Sequence, residues 1–217
     1  MKKTILFLAV VLIAFGANAQ EFPKNDNGDI EFSEVVEAKL TKEKLFANAK
    51  EWVATTFGDY KKVIQFEDNE NCKLIIKGIS NVDYATGVTV SGVTGMTKKE
   101  KLSYTITIEC KDDKYRYKIN DIVVNSTVIV LGTSVNEIPY TPDRHIELIM
   151  KNSNELENLK AIDSSKMKKK QLTEHSEKIE SLEKSIQDEQ NFYKAEYFTI
   201  ESLISLIKKS MAVNDDF

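Results

Sequence analysis

Few residues in this chain are of types that do chemistry, and their surroundings narrow the choice further. Among 217 residues there are two cysteines, Cys72 and Cys110, and two histidines, His145 and His175. A nucleophilic cysteine needs a histidine at hand and an exposed, electropositive setting. Both cysteines instead stand among apolar, strand-forming residues, in "NENCKLIIKGI" and "YTITIECK". The chain shows no nucleophile elbow, phosphate-binding loop, zinc-ligand spacing or pair of catalytic carboxylates. Enzyme chemistry is therefore not the expectation, and no cofactor is expected.

One stretch imitates a calcium loop. Counted from Pro23, "PKNDNGDIEFSE" puts Asn25 third, Asn27 fifth, Gly28 sixth and Glu34 twelfth, as such a loop requires. Proline in the lead position offers no side-chain ligand, and the flanks do not read as two helices. A turn leading into a strand is expected here, and no metal site.

The remaining candidates lie on strands. Ser103–Cys110 alternates, with Tyr104, Ile106, Ile108 and Cys110 on one face and Ser103, Thr105, Thr107 and Glu109 on the other. A hairpin closed at Asp112-Asp113 pairs residues whose numbers sum to 225. Cys110 then meets Tyr115, Ile108 meets Tyr117 and Ile106 meets Ile119 on the apolar face. Glu109 meets Arg116 and Thr107 meets Lys118 on the polar face, where opposite charges across strands contribute about 0.2–1 kcal/mol each. In "CKLIIKGI", Cys72 shares parity with Leu74 and Ile76, and Lys73 and Lys77 fall on the other side. The polar face thus carries Lys73, Lys77, Arg116 and Lys118, set against Glu109. Such a face is a solvated, ion-paired surface or an open platform for an anionic ligand or a partner. Cys72 and Cys110 point into one layer if their strands are neighbours, so a disulfide and two separate buried thiols both stay open.

Several elements must hold these residues in place. A strand begins near Ile30. Thr41 is an N-cap, Leu40 and Leu45 sit where a hydrophobic staple needs them, and Phe46, Ala49, Val53 and Phe57 form an apolar stripe ending at Gly58. "KKVIQF" and "CKLIIKGI" read as strands around the turn "EDNEN". Residues 80–99 read as a loop or irregular edge strand, and "NSTVIVLGTSVNEIPY" as a loop or short strand. Thr141-Pro142-Asp143 opens a helix with apolar positions Ile146, Ile149, Met150, Leu156 and Leu159. After the polar break "AIDSSKMKKK", a helix is expected from about Gln171 to near Val213. Its first half has a thin seam of Leu172, Ile179, Leu182 and Ile186, which spans too few heptads for a coiled coil. Its second half is amphipathic through Ile200, Leu203, Ile204, Ile207 and Met211. The lysine run precedes that stripe rather than flanking it, so packing on the sheet is preferred over a membrane surface.

Before these elements comes a leader. Lys2 and Lys3 precede an apolar run from Ile5 to Phe15, and Ala17-Asn18-Ala19 supplies the small residues a signal peptidase accepts. The run is shorter than the roughly 20 residues a membrane span needs. Gln20 stands where a lipid-anchored protein needs cysteine. Export to the periplasm or beyond, without a lipid anchor or a transmembrane span in the mature chain, is the expectation. Loss of Lys2 and Lys3 leaves 28 of the 30 basic residues against 34 acidic ones, a net charge of −6. Such a balance disfavours nucleic acid as a partner.

The order of strand, helix, antiparallel strands and helices implies an α+β fold with helices on one face of a sheet. Three segments, "FPKNDNGDIEFSEVVEA", "LFANAKEWVATTF" and "LSYTITIECKDDKYRYKINDI", together resemble a family of exported bacterial proteins of unknown function with a TATA-box-binding-protein-like (TBP-like) fold. The resemblance covers roughly residues 22–124 and, more loosely, the next helix. It implies a β-α-β-β-β-β-α unit and carries no known active site, ligand or partner. A fold name does not confer DNA binding, because function resides in sites. The expected organisation is a signal peptide over 1–19, a TBP-like domain over 20–160 and a helical extension over 161–217 that packs back on it. A non-enzymatic binding or interaction module follows, with a protein or small-molecule partner. The alternatives are a secreted enzyme sited around 80–99 and a protein that self-associates through its C-terminal helices.

Overall fold

The computed structural model describes residues 21–82, 96–130, 133–136 and 138–214. The elements are β1 (Phe32–Glu37), α1 (Lys42–Phe57), a short α2 (Tyr60–Val63), β2 (Ile64–Asp68), β3 (Lys73–Asn81), β4 (Met96–Lys111), β5 (Lys114–Val130), β6 (Thr133–Asn136), α3 (Asp143–Lys160) and α4 (Lys169–Met211), with one 3₁₀ turn over Ser164–Lys166. All strands pair antiparallel in the order β1-β5-β4-β3-β2. β6 pairs with the far end of β5, beyond β1. The outer edge of β5 is thereby covered by β1, a bridge from Val124 to Tyr140, and β6, which blunts an edge this long.

The β4–β5 hairpin has the register its residue pattern implies. Glu109 faces Arg116, Cys110 faces Tyr115, Ile108 faces Tyr117 and Thr107 faces Lys118. Asp-Asp is a weak turn signal, and tertiary bonds hold it. Asp113, at φ +63°, accepts from the Ala38 amide at 2.7 Å and donates to the Leu40 carbonyl at 2.9 Å. Asp112 accepts from the Lys42 amide at 3.0 Å. Further along, a bulge between Ser103 and Thr105 shifts the pairing by one residue, with Asp121 at φ +51°. The buried set on β5 switches from Tyr115, Tyr117 and Ile119 to Ile122, Val124 and Ser126, so the inner face stays continuous.

The first long helix and the second half of the last one cover that inner face. Thr41 caps α1 through its side chain, which accepts from the Lys44 amide at 3.3 Å, and Gly58 ends the helix at φ +68°. Leu45, Phe46, Ala49, Trp52 and Val53 are buried against β4 and β5, each large side chain contributing about 1.5–3 kcal/mol. The second half of α4 adds Tyr193, Ile200, Leu203, Ile204, Ile207 and Met211 to the same core. Its first half lies along α3 as a helical hairpin, tied by Asn152 to Ser185 at 3.0 Å and by Lys178 to Glu155 at 2.7 Å.

Several local expectations are corrected. Residues 60–63 form a helical turn rather than the start of a strand, because the Asp59 carboxylate accepts from the Lys62 amide. In "NSTVIVLGTSVNEIPY" the strand alternative holds over "NSTVIV", which continues β5, and over Thr133–Asn136, which form β6. The Thr141 hydroxyl makes no cap bond to α3, whose N-cap is Pro142. Met150 is 59% exposed, because the buried side of α3 is the one carrying His145 and Ile149. Of residues 80–99, β3 takes the first two and β4 the last four, and 83–95 lie outside the described residues.

Candidate functional site

Where the β4–β5 turn meets the end of β1 and the β2–β3 turn, the surface is indented by a cleft of about 600 Å³. Val35, Lys73, Glu109 and Arg116 come from the outer face of the sheet. Lys111 and Lys114 flank the Asp112-Asp113 turn, Lys42 comes from the first turn of α1, and Glu70 and Asn71 come from the β2–β3 turn. Cys110 and Tyr115 also line it. Five cations thus share one depression with two carboxylates.

Glu109 organises the centre. Its Oε1 lies 3.0 Å from Lys73 Nζ, and its Oε2 accepts from Arg116 Nε at 2.9 Å and from the terminal guanidinium nitrogen as well. The bonds from Arg116 first, and then from Lys73, hold the Glu109 carboxyl below its usual value. One carboxylate therefore positions two cations side by side without neutralising both. Arg116 keeps half of its side chain in solvent (52% exposed), so its outer donors face water. The surrounding Lys42, Lys111 and Lys114 add charge but no fixed fork. Such an arrangement suits a small anion with several oxygens, held by charge-assisted bonds.

The structure brings together two of the four cations proposed from the sequence. Lys73 and Arg116 are in the cleft. Lys118 turns to Glu31 at 3.3 Å, and Lys77 stands exposed further along β3. Sequence reasoning missed Lys42, Lys111 and Lys114 because it followed strand alternation and passed over turn residues. "KDDK" was the available signal: a hairpin turn bracketed by lysines. The bland reading of an ion-paired face holds for Lys118 and for part of the Lys73–Glu109–Arg116 group.

Cys72, just before β3 at φ +50°, and Cys110, at the end of β4, are free, buried thiols, with the Cys110 amide donating to the Cys72 carbonyl at 3.0 Å. Burial, and secondarily Cys72, push the Cys110 thiol up to about 12, so it stays protonated and is a poor nucleophile at neutral pH. The calcium-like stretch is a turn. Asn25 Oδ1 accepts from the Asn27 and Asp29 amides at 3.0 Å each, and Gly28 takes φ +85°. Glu34 points the other way, accepting from Tyr117 Oη at 2.7 Å and pairing with Lys208 at 2.6 Å. These ligands do not converge. Among the described residues, no helix is long and apolar enough to cross a membrane.

Comparison with known proteins shows what this chain is similar to. Residues 32–125 match the family model for a domain of unknown function, DUF4468, with a TBP-like fold. The match spans β1 through most of β5 and so contains every residue named above as lining the cleft. A TBP-like protein from Parabacteroides distasonis is 15% identical in sequence. The alignment covers 90% of this chain and 100% of that one, with a TM-score of 0.54. A DUF4468 family protein from Bacteroides ovatus is 13% identical over 90% of this chain and 93% of its own, with a TM-score of 0.46. At such identities the likeness concerns the fold alone. The comparison with curated proteins gives no match.

Proposed function

We propose that this chain, with its TBP-like DUF4468 domain, is an exported, non-enzymatic binding module of the cell envelope whose cleft takes a small multivalent anion. The observation that carries the reading is the clamp in which Glu109 holds Lys73 and Arg116 side by side, inside a depression rimmed by Lys42, Lys111 and Lys114. Export is supported by the basic, apolar and small-residue pattern of positions 2–19. Gln20, in place of cysteine, speaks for periplasmic or extracellular placement without a lipid anchor. A net charge of −6 over the mature chain as a whole supports a small ligand over a nucleic acid.

Two measurements test this. Mass spectrometry of the chain recovered from its host's envelope is expected to give an N-terminus at Gln20. Retention of residues 1–19 in that fraction counts against export. Citrate titrated into the mature protein is expected to shift the Arg116 Nε–Hε signal, with a Kd on the order of 1 mM, about −4.1 kcal/mol. Affinity is expected to fall as salt rises. An unmoved Arg116 signal, or shifts confined to another surface, overturns the assignment of the cleft.

A further inference from the structure

On the helix-covered side of the sheet, three elements bring ionisable groups together in the core. His145, in the first turn of α3, is 1% exposed, Glu196 on α4 is 0% exposed and Glu100 on β4 is 3% exposed. Imidazole and carboxylate donor atoms of these three residues all lie within 4.8 Å of one another. We infer that Glu100, His145 and Glu196 form a binding site for one divalent transition-metal cation, which ties α3 and α4 to the sheet.

The argument rests on what each ring nitrogen faces. Nδ1 of His145 is engaged by Glu189 Oε2 at 2.5 Å, and Nε2 lies 2.9 Å from Glu196 Oε1. A carboxylate on one ring nitrogen that aims the other at a cation is the common outer-shell arrangement of metal-binding histidines. Glu100 is held in the same way, its Oε1 accepting from Tyr140 Oη at 2.8 Å. Stacking on Phe192 and an edge contact with Tyr140 fix the plane of the imidazole. One N–H at Nε2 serves one carboxylate oxygen, whereas a cation between the three groups serves Nε2 and both carboxylates. Two carboxylates sharing a buried site each gain from a positive charge between them. One imidazole with two carboxylates suits Zn²⁺ or Mn²⁺ rather than a soft, thiolate-seeking ion.

The sequence carried a weak trace of this site. The even-numbered core face of β4 runs back through Leu102 to Glu100, and Glu189 and Glu196 stand seven residues apart, on one side of α4. Periodicity alone reads each as a polar residue on an apolar face.

The test uses the mature chain, stripped with EDTA and then supplied with Zn²⁺ or Mn²⁺ alone. One equivalent per chain is expected to remain after gel filtration. At a hundredfold excess over Kd, the thermal midpoint is expected to rise by roughly 5–10 °C. Glu100→Gln and Glu196→Gln are each expected to weaken binding at least tenfold, and Glu189→Gln, which only orients the ring, is expected to weaken it less. Should a variant fail to fold, ¹⁵N NMR of the native chain decides, because it has only two histidines. Zn²⁺ is expected to move Nε2 of His145. Absence of stoichiometric metal, a shift confined to His175, or native affinity in Glu100→Gln overturns the site.

Discussion

Replacing Glu109 with Gln is expected to tighten anion binding in the cleft, while replacing Arg116 with Gln weakens it. The opposite signs follow from the clamp. Glu109 Oε2 accepts from the Arg116 guanidinium, and an anion taking the outer donors of Arg116 sits about 5 Å from that carboxylate. In an environment close to water, two like charges at this distance repel by about 0.8 kcal/mol, or roughly fourfold in Kd. Glu109→Gln removes that repulsion and frees Lys73 from its 3.0 Å pair, so citrate affinity is expected to rise about fourfold. Arg116→Gln deletes a half-exposed charge with a fixed fork, and a loss of about 1 kcal/mol, roughly fivefold, is expected for a site so open to water. The assay is citrate titration at pH 7, followed by NMR at low and at physiological salt. Both effects are expected to shrink as salt rises, because the charges are screened. The reasoning fails if both variants shift Kd in the same direction, or if Glu109→Gln weakens binding as much as Arg116→Gln does. Either result means that Glu109 contacts the ligand, or that the anion binds elsewhere.

Other consequences concern the scaffold. Gly78 faces Tyr104 across β3 and β4, and a Cβ there would collide with Tyr104 Cε2 and lie 2.9 Å from Phe57 Cε1. Tyr104 cannot yield without losing its 2.6 Å bond to Ser80 Oγ, so Gly78→Ala is expected to cost about 1–3 kcal/mol in denaturant unfolding. A Gly78→Ala, Tyr104→Leu double variant is expected to be less destabilised than the two single losses added together, and strict additivity would refute the clash. For Glu109, the folded pKa lies below the ordinary 4.5 because of Arg116 and Lys73, so its stabilising contribution is present above 4.5 and is lost as pH falls through the lowered value. The stability gap between native protein and Glu109→Gln should therefore close in acid, and a gap that widens there contradicts the pairing. With Cys72 and Cys110 as free, buried thiols, the mass of the exported chain is expected to stay unchanged on reduction, and a gain of two hydrogens would contradict this.

Much of the fold was legible before the tertiary structure was known, for identifiable reasons. The α1 helix was readable because cap, staple, apolar stripe and terminal glycine are local features that agree with one another. The β4–β5 hairpin was readable because both strands alternate with a period of two, so a one-residue slip would set the apolar face of one against the polar face of the other, and the Asp112-Asp113 turn fixes which of the remaining registers forms. Elsewhere local signals competed. "KKVIQF" is β-prone, but Asp59 can cap a helical turn, and the first residues follow the cap. Met150 fits a helical stripe, yet which side of α3 is buried depends on where α4 lies.

The candidate sites divide in the same way. Sequence alone determined that Glu109 and Arg116 would meet, because they belong to one hairpin, and that both lie on the polar face. It also determined that the cysteines share the core side of their strands. Only the tertiary structure decided that Lys73 joins that pair while Lys118 leaves for Glu31, since this depends on which strands are neighbours and on what the segment before β1 brings near. It likewise decided that Glu100, His145, Glu189 and Glu196 share one buried space. These residues come from a strand and two helices, up to 96 positions apart. Alternation and helical periodicity report which side of an element a residue occupies. They do not report what stands opposite, and that is settled only when the helices close over the sheet.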